Sequence, residues 1–185
     1  HGKYAVIIKN LKTDEEFKMN EMEVFEPGSL YKLWVMGEAY RQMKEGTITK
    51  DTKMSQSIQE LNRKFGISDE NAELKEGGIS QTVSLALNQM ITISHNYSAL
   101  LLSEKLKNTN IADFIESQKL THSKLSVGSN PPQTTASDQL LILEKLYKGE
   151  YVDSDSAFYK ITSILPSLSI NLSKFSTISS LSPFN

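Results

Sequence analysis

The sequence contains no cysteine among its 185 residues and only three histidines. The absence of cysteine excludes disulfide scaffolds, thiolate zinc sites and cysteine nucleophiles. The histidines are His1, His95 and His122, and no two of them have the spacing of metal ligands on one helix. A histidine-rich metal site is therefore not expected.

Two further absences concern partners. No apolar run approaches the roughly 18 residues that a membrane-spanning helix needs, so no transmembrane segment is predicted. The 20 Lys and Arg residues face 22 Asp and Glu residues, which gives a net charge of −2. Without a basic excess to neutralise phosphates, nucleic-acid binding is not expected. A composition that is 38% hydrophobic and 23% charged instead favours one folded domain with a packed core.

The hydrophobic pattern predicts strands first and helices afterwards. Residues 3–9 are short, β-branched and apolar on both faces, which predicts a strand buried inside a sheet. Phe17 and Met19 alternate with polar neighbours and predict a second, half-exposed strand. The mixed residues 47–80 predict short helices and loops. This order indicates an α+β fold, or a layered α/β fold whose sheet uses both ends of the chain.

Helices are predicted where apolar residues recur at helical spacing. Asn96, Asn110 and Thr135 are predicted to cap three of them, because their side chains accept hydrogen bonds from the first backbone amides. Trp34 and Met36 are predicted in the core face of the first helix. The predicted spans are residues 30–45, 82–90, 97–106 and 110–115, followed by a helix that Thr135 opens and Gly149 ends.

The C-terminal segment has a different composition. Eight of the 23 residues from 163 to 185 are serine, and none is acidic. Ile170 and Leu172 alternate with polar neighbours, which permits a strand, whereas the composition also fits a weakly ordered end. We therefore divide the chain into a domain of residues 1–160 and a serine-rich tail of residues 161–185.

The segment Pro27-Gly28-Ser29-Leu30-Tyr31-Lys32 is the first candidate for chemistry. Ser29 and Lys32 are three residues apart, so on a helix they share one face. Ser29 at the helix start lies near free backbone N–H groups and the positive end of the helix dipole. Lys32 lies one turn deeper, where desolvation would let it take the serine proton as a neutral amine. The alternative is a capping serine followed by a surface lysine.

The segment Ser94-His95-Asn96 is the second candidate, on a break between two apolar helices. The Ser94 hydroxyl can pass a proton to a leaving nitrogen, and the Asn96 amide can hold a substrate amide or Lys32. The alternative is that Asn96 caps the following helix while Ser94 and His95 are ordinary loop residues.

Together, the two segments resemble the motifs of the penicillin-recognising serine enzymes, especially the class A β-lactamase-like branch. Ser29 and Lys32 look like the serine-x-x-lysine motif of that family. Ser94-His95-Asn96, 65 residues after Ser29, looks like its serine-aspartate-asparagine motif. Residues 133–138 resemble the threonine-rich start of a later family helix. The resemblance covers about residues 4–159 and implies a β-lactamase/transpeptidase-like fold, with a helical body packed on an antiparallel sheet.

The resemblance also implies a role for each of the four site residues. Ser29 would be the acylated nucleophile and Lys32 its base. Ser94 would relay a proton to the departing nitrogen, and Asn96 would orient the substrate and Lys32. The oxyanion hole would use the backbone N–H of Ser29 and one from a later strand.

The family acts outside the bacterial cytoplasm on small β-lactams or on D-alanyl peptidoglycan stem peptides, without a cofactor or metal. The resemblance therefore implies an extracytoplasmic serine hydrolase. The alternative is a degenerate or truncated penicillin-binding module with little turnover.

Three departures from the family pattern bear on these expectations. His95 replaces the usual aspartate, and residues 117–134 contain no carboxylate where class A enzymes carry the deacylating glutamate. Glu116 lacks the sequence that follows that glutamate, so the role is not carried over to it. The lysine-threonine-glycine strand motif is also missing, since no glycine follows Gly149.

The sheet is therefore expected to be incomplete at the C-terminus. Three explanations stay open: truncation, aberrant residues from about 161 onward, or a sheet edge supplied by another chain. Elsewhere in the sequence, Glu73, Lys75 and Glu76 are interpreted as exposed loop charges.

Overall fold

The computed structural model describes residues 2–126 and 130–151. Within these residues it has an α+β fold of helices and short antiparallel strands, which confirms the predicted fold class. The predictions for the tail, residues 161–185, lie outside the described residues. The elements in chain order are β1 (Val6–Lys9), β2 (Glu16–Met19), a 3-10 turn (Gly28–Tyr31), α1 (Lys32–Lys44), β3 (Lys53–Ser57), α2 (Ile58–Lys64), β4 (Gly78–Thr82), α3 (Val83–Thr92), α4 (Asn96–Leu106), α5 (Asn108–Ser117) and α6 (Ala136–Tyr147).

The first strand is not buried inside a sheet as its sequence predicted. β1 pairs antiparallel with β2 in a two-stranded sheet, with Ile8 opposite Phe17. These two side chains are 64% and 54% exposed, because β2 is the only strand paired with β1 among the described residues. On α6, Glu144 forms an ion pair with Lys9 of β1 at 2.6 Å.

Two strands that the sequence did not predict begin within residues 47–80. β3 pairs antiparallel with β4 from Lys53 opposite Thr82 to Ser57 opposite Gly78. Each strand has a single large apolar residue, Met54 in β3 and Ile79 in β4, so neither shows the apolar alternation that predicts a strand. Their backbone pairing, rather than a hydrophobic face, defines them.

The core surrounds α1, which packs against α3, α4 and α5. Trp34 is fully buried and Met36 is 3% exposed, so the predicted core positions of the first helix are confirmed. Other large side chains buried in the same cluster are Leu102, Leu106, Phe114, Ile142 and Leu146. Among residues 2–126 and 130–151, no helix has the length and apolar character needed to cross a membrane.

The predicted helix caps are correct in part. Thr135 caps α6, since its hydroxyl accepts from the backbone N–H of Asp138 at 3.2 Å. Asn110 does not cap a helix; it lies inside α5 and its side chain donates to the carbonyl of Leu106 at 2.9 Å. The chain enters α5 through Lys107, which has a φ of 70°.

Gly37 allows α1 and α5 to approach closely. A Cβ atom at this position would lie 2.3 Å from Cζ of Phe114, whose ring is fully buried. Carbon atoms pack at about 3.5–4.0 Å, so an alanine here would force the ring or the helix to move.

Gly37→Ala is therefore expected to lower the free energy of unfolding by about 2 kcal/mol, because overpacking outweighs the ~1 kcal/mol that alanine gains over glycine in a helix. Urea unfolding would measure the change. The loss should shrink in a Phe114→Leu background, which removes the obstructing end of the ring. Equal losses in the two backgrounds would contradict this account.

Candidate active site

Ser29 lies in the 3-10 turn that leads into α1. Gly28, immediately before it, has a φ of +51°, a left-handed conformation that glycine adopts without strain. The residues at the N-caps of the turn and of α1 are Pro27 and Tyr31, so Ser29 is not a capping serine. Its side chain is exposed and accessible to a substrate.

Lys32 is the first residue of α1 and is only 2% exposed, so it is not a surface lysine. Its Nζ donates to Ser94 O at 2.6 Å, Asn96 Oδ1 at 2.7 Å and Ser94 Oγ at 2.9 Å. Ser29 Oγ lies 3.4 Å from the same nitrogen. An ammonium has three N–H donors, so these oxygen atoms fix its position beneath Ser29.

Burial shifts the protonation equilibrium of Lys32 toward the neutral amine. Burial lowers the pKa of the Lys32 amine, and the negative charge of Glu73 opposes part of this decrease. A lysine whose pKa is lowered provides more neutral amine near neutral pH, and the neutral amine is the form that accepts a proton. In its neutral form, Lys32 is placed to accept a proton from a neighbouring hydroxyl.

Ser94 lies in the break between α3 and α4 and connects Ser29 to Lys32. Its Oγ donates to Ser29 Oγ at 3.0 Å and accepts from Lys32 at 2.9 Å. Its φ of 57° is unusual for a residue other than glycine, and such strained residues concentrate at functional sites. In this backbone conformation, the Ser94 carbonyl oxygen accepts a hydrogen bond from the Lys32 amine.

His95, and not Asn96, caps α4. Its Nδ1 accepts from the backbone N–H of Ser98 at 3.1 Å and lies 2.8 Å from the hydroxyl of the same serine. The predicted cap at Asn96 is therefore wrong, because the neighbouring imidazole occupies that role. The side chain of Asn96 joins the cluster instead, through the bond from Lys32 to its Oδ1.

Glu73 also contacts this cluster, and no motif in the sequence predicted that contact. It is exposed, as predicted for a loop charge, but its Oε1 accepts from Asn96 Nδ2 at 2.5 Å. It lies 23 residues before Asn96 in a loop without a recognisable motif. No local pattern in the sequence indicates this pairing, which depends on how the loop folds back onto α4.

Glu116 and His122, the possible bases in or next to residues 117–134, have contacts outside the four-residue cluster. Glu116 lines a cavity of about 530 Å³ between α5 and the segment that follows it, and the lining includes none of the four cluster residues. The His122 ring lies 3.0 Å from the hydroxyl of Thr121. In the described part of the chain, no group of three or more His, Asp or Glu side chains could hold a metal ion.

The structure therefore brings all four predicted site residues together. Ser29, Lys32, Ser94 and Asn96 form one hydrogen-bonded cluster, with an exposed hydroxyl above a buried amine. This arrangement suits nucleophilic attack by a serine whose proton passes to a lysine.

Comparison with known families gives one match over most of the chain. The profile described as the beta-lactamase enzyme family matches residues 1–165. No curated protein matches the sequence.

Solved structures support the same fold at low sequence identity. A beta-lactamase from Sphaerobacter thermophilus superposes with a TM-score of 0.68 at 20% identity, over 89% of this chain and 62% of that one. A beta-lactamase from Chitinophaga pinensis gives 0.71 at 13% identity, over 91% and 65%. A mutant of PBP-A, solved as an acyl-enzyme complex with penicillin G, gives 0.69 at 14% identity, over 90% and 63%. The chain thus spans about three fifths of the length of these similar structures.

Proposed function

Since this chain belongs to the beta-lactamase enzyme family, we propose that it is a serine hydrolase that forms an acyl-enzyme at Ser29. The substrates are β-lactams or D-alanyl peptidoglycan stem peptides. The observation that carries the proposal is the hydrogen-bonded path from the exposed Ser29 hydroxyl through Ser94 to the buried Lys32, with steps of 3.0 and 2.9 Å. A capping serine and a surface lysine would not give this path.

The proposed acylation uses this path for its proton transfers. Neutral Lys32 accepts the Ser29 proton, directly or through the Ser94 hydroxyl, as Ser29 Oγ attacks the substrate carbonyl carbon. An ester bond forms at Ser29 and the amide C–N bond of the substrate breaks. The proton then passes from Lys32 through Ser94 to the departing nitrogen, which returns Lys32 to its neutral form.

The other groups stabilise and orient the reactants. Asn96 fixes the Lys32 amine through its Oδ1, and its proposed second role is to orient a substrate amide. The backbone N–H of Ser29, in the turn at the start of α1, supplies one donor of the oxyanion hole. A location outside the bacterial cytoplasm belongs to the same proposal, since its substrates are found there.

A second candidate function is supported by the sequence of residues 117–134. This segment has no carboxylate that could activate a water for deacylation. A penicillin-binding module that is acylated but turns over little would have this feature, and the two functions differ in the lifetime of the acyl-enzyme.

Intact-mass spectrometry after incubation with penicillin G tests the proposal. Opening of the lactam ring loses no atoms, so the expected result is a mass increase of one whole penicillin G per chain. The denatured chain serves as the control, because unfolding separates Ser29 from Lys32. A native chain that neither gains mass nor hydrolyses penicillin G at any pH from 5 to 10 would overturn acylation by β-lactams.

A further inference from the structure

The Asn96 side chain is held at both ends. Lys32 donates to its Oδ1 at 2.7 Å, while its Nδ2 donates to Glu73 Oε1 at 2.5 Å. Glu73 thus connects to the buried lysine through a single amide. Glu73 lies in the loop of residues 65–77, between α2 and β4.

The loop also forms a wall beside the cluster. A cavity of about 170 Å³ lies between it and the start of α4, and Glu73 is the only carboxylate in its lining. Apolar and aromatic side chains make up most of the remainder, including Tyr31, Ile67 and Leu100. Glu73 lines this cavity while its side chain remains exposed, so water screens part of its charge.

We propose that Glu73 is a positioning residue of this site, which holds the Asn96 carboxamide with its oxygen toward Lys32 and places a negative charge beside the Lys32 amine. The inference rests on the proposed acylation of Ser29. Glu73 acts through Asn96 and through its charge.

The orientation follows from the hydrogen-bonding capacity of each group. An ionised carboxylate only accepts hydrogen bonds, so Glu73 requires the NH2 end of the Asn96 amide. The oxygen end must then face Lys32, where it accepts from the amine. An amide rotated by half a turn would direct two N–H donors at the lysine and its carbonyl oxygen at the carboxylate, which is unfavourable at both ends.

The charge has a separate consequence, whose sign can be worked out. Glu73 raises the pKa of Lys32 against the decrease that burial causes, and it is the one charged group acting on that amine in the described part of the chain. The neighbouring groups are uncharged: Ser29 and Ser94 are hydroxyls, and burial raises the pKa of Tyr31 to about 12. Removing the Glu73 charge should therefore lower the pKa of Lys32 and leave more neutral amine at a given pH.

The test is the pH profile of the acylation rate with penicillin G, measured for the native chain, Glu73→Gln and Glu73→Ala. Acylation needs neutral Lys32, so the rate should rise with pH through a midpoint. Both variants should move that midpoint to lower pH. Glu73→Ala should also reduce the plateau rate by about tenfold, because the amide loses a fixing hydrogen bond, whereas glutamine keeps an acceptor and should reduce it less.

Glu76→Gln, an exposed charge in the same loop, is the matched control and should leave the midpoint in place. NMR titration of the lysine side chain adds a measurement that does not need a reaction, since the pKa of Lys32 should fall in Glu73→Gln whether or not penicillin G reacts. Failure of the proposed function would remove the adduct but leave this shift.

Three results would overturn the inference: an unchanged Lys32 pKa in Glu73→Gln, an equal shift in Glu76→Gln, or a plateau loss without a midpoint shift in both Glu73 variants. The last result would indicate a merely structural residue. A normal acylation profile with slowed release of product would instead assign Glu73 to deacylation.

Discussion

Ser29→Ala is expected to abolish covalent labelling by penicillin G, since the substitution removes the oxygen atom that would form the ester. The neighbouring Ser94 hydroxyl remains in this variant, 3.0 Å from where the Ser29 oxygen lay, but it belongs to the break before α4 and not to the turn that leads into α1. The backbone N–H proposed as oxyanion donor belongs to Ser29 itself, and stabilises an oxyanion formed by attack at that position. Ser55→Ala, an exposed serine on β3, is the matched control and should be labelled like the native chain.

Lys32→Ala should slow labelling by about 10²–10⁴-fold, which is the usual contribution of a positioned general base. Lys44→Ala, an exposed lysine at the other end of α1, should label normally. Both rates are obtained from intact mass against time. Labelling that survives in Ser29→Ala would place the nucleophile elsewhere and remove the central proposal.

The four residues of the cluster could be found in the sequence because each pair of them is local. Ser29 and Lys32 are one helical turn apart, and Ser94 and Asn96 flank a single residue. Short spacings of this kind are set by helix and loop geometry, so they can be recognised without knowledge of the fold. The two pairs also follow each other along the chain in the same order as the family motifs, and the resemblance rests on that order.

Glu73 could not be found in this way. Its bond to Asn96 crosses 23 residues and depends on the path of an irregular loop. A charged residue in a polar loop is usually solvated, and the sequence offers nothing to distinguish the one that turns back onto the site. His95 illustrates a related limit, because histidine is a less frequent cap than asparagine, and the structure nevertheless places it at the cap of α4.

The strands of the sheets were predicted less well than the helices. α3 spans Val83–Thr92 against a predicted span of 82–90, since its apolar residues recur at helical spacing. In β3 and β4 most side chains are polar, so their pairing is a matter of backbone hydrogen bonds between segments that begin 25 residues apart. Periodicity in one segment does not contain that information.

The acyl-enzyme is expected to break down much more slowly than it forms. Deacylation requires a base that activates a water next to the ester, and residues 117–134 provide no carboxylate for that purpose. Glu116 lines a separate cavity and the His122 ring contacts Thr121. Lys32 is neutral again once its proton has passed to the departing nitrogen, but its contacts hold it on Ser94 and Asn96 rather than on a water beside the ester.

A missing base costs about 10²–10⁴-fold in rate, so the adduct should accumulate with little product, as in penicillin-binding transpeptidases. A time course of intact mass with a chromogenic cephalosporin measures the adduct and the product together. Glu116→Gln is the control and should leave the adduct lifetime unchanged. Fast turnover without an adduct would show that another residue activates the water. Glu73 would then be the first residue to test, since it is the carboxylate that touches the cluster.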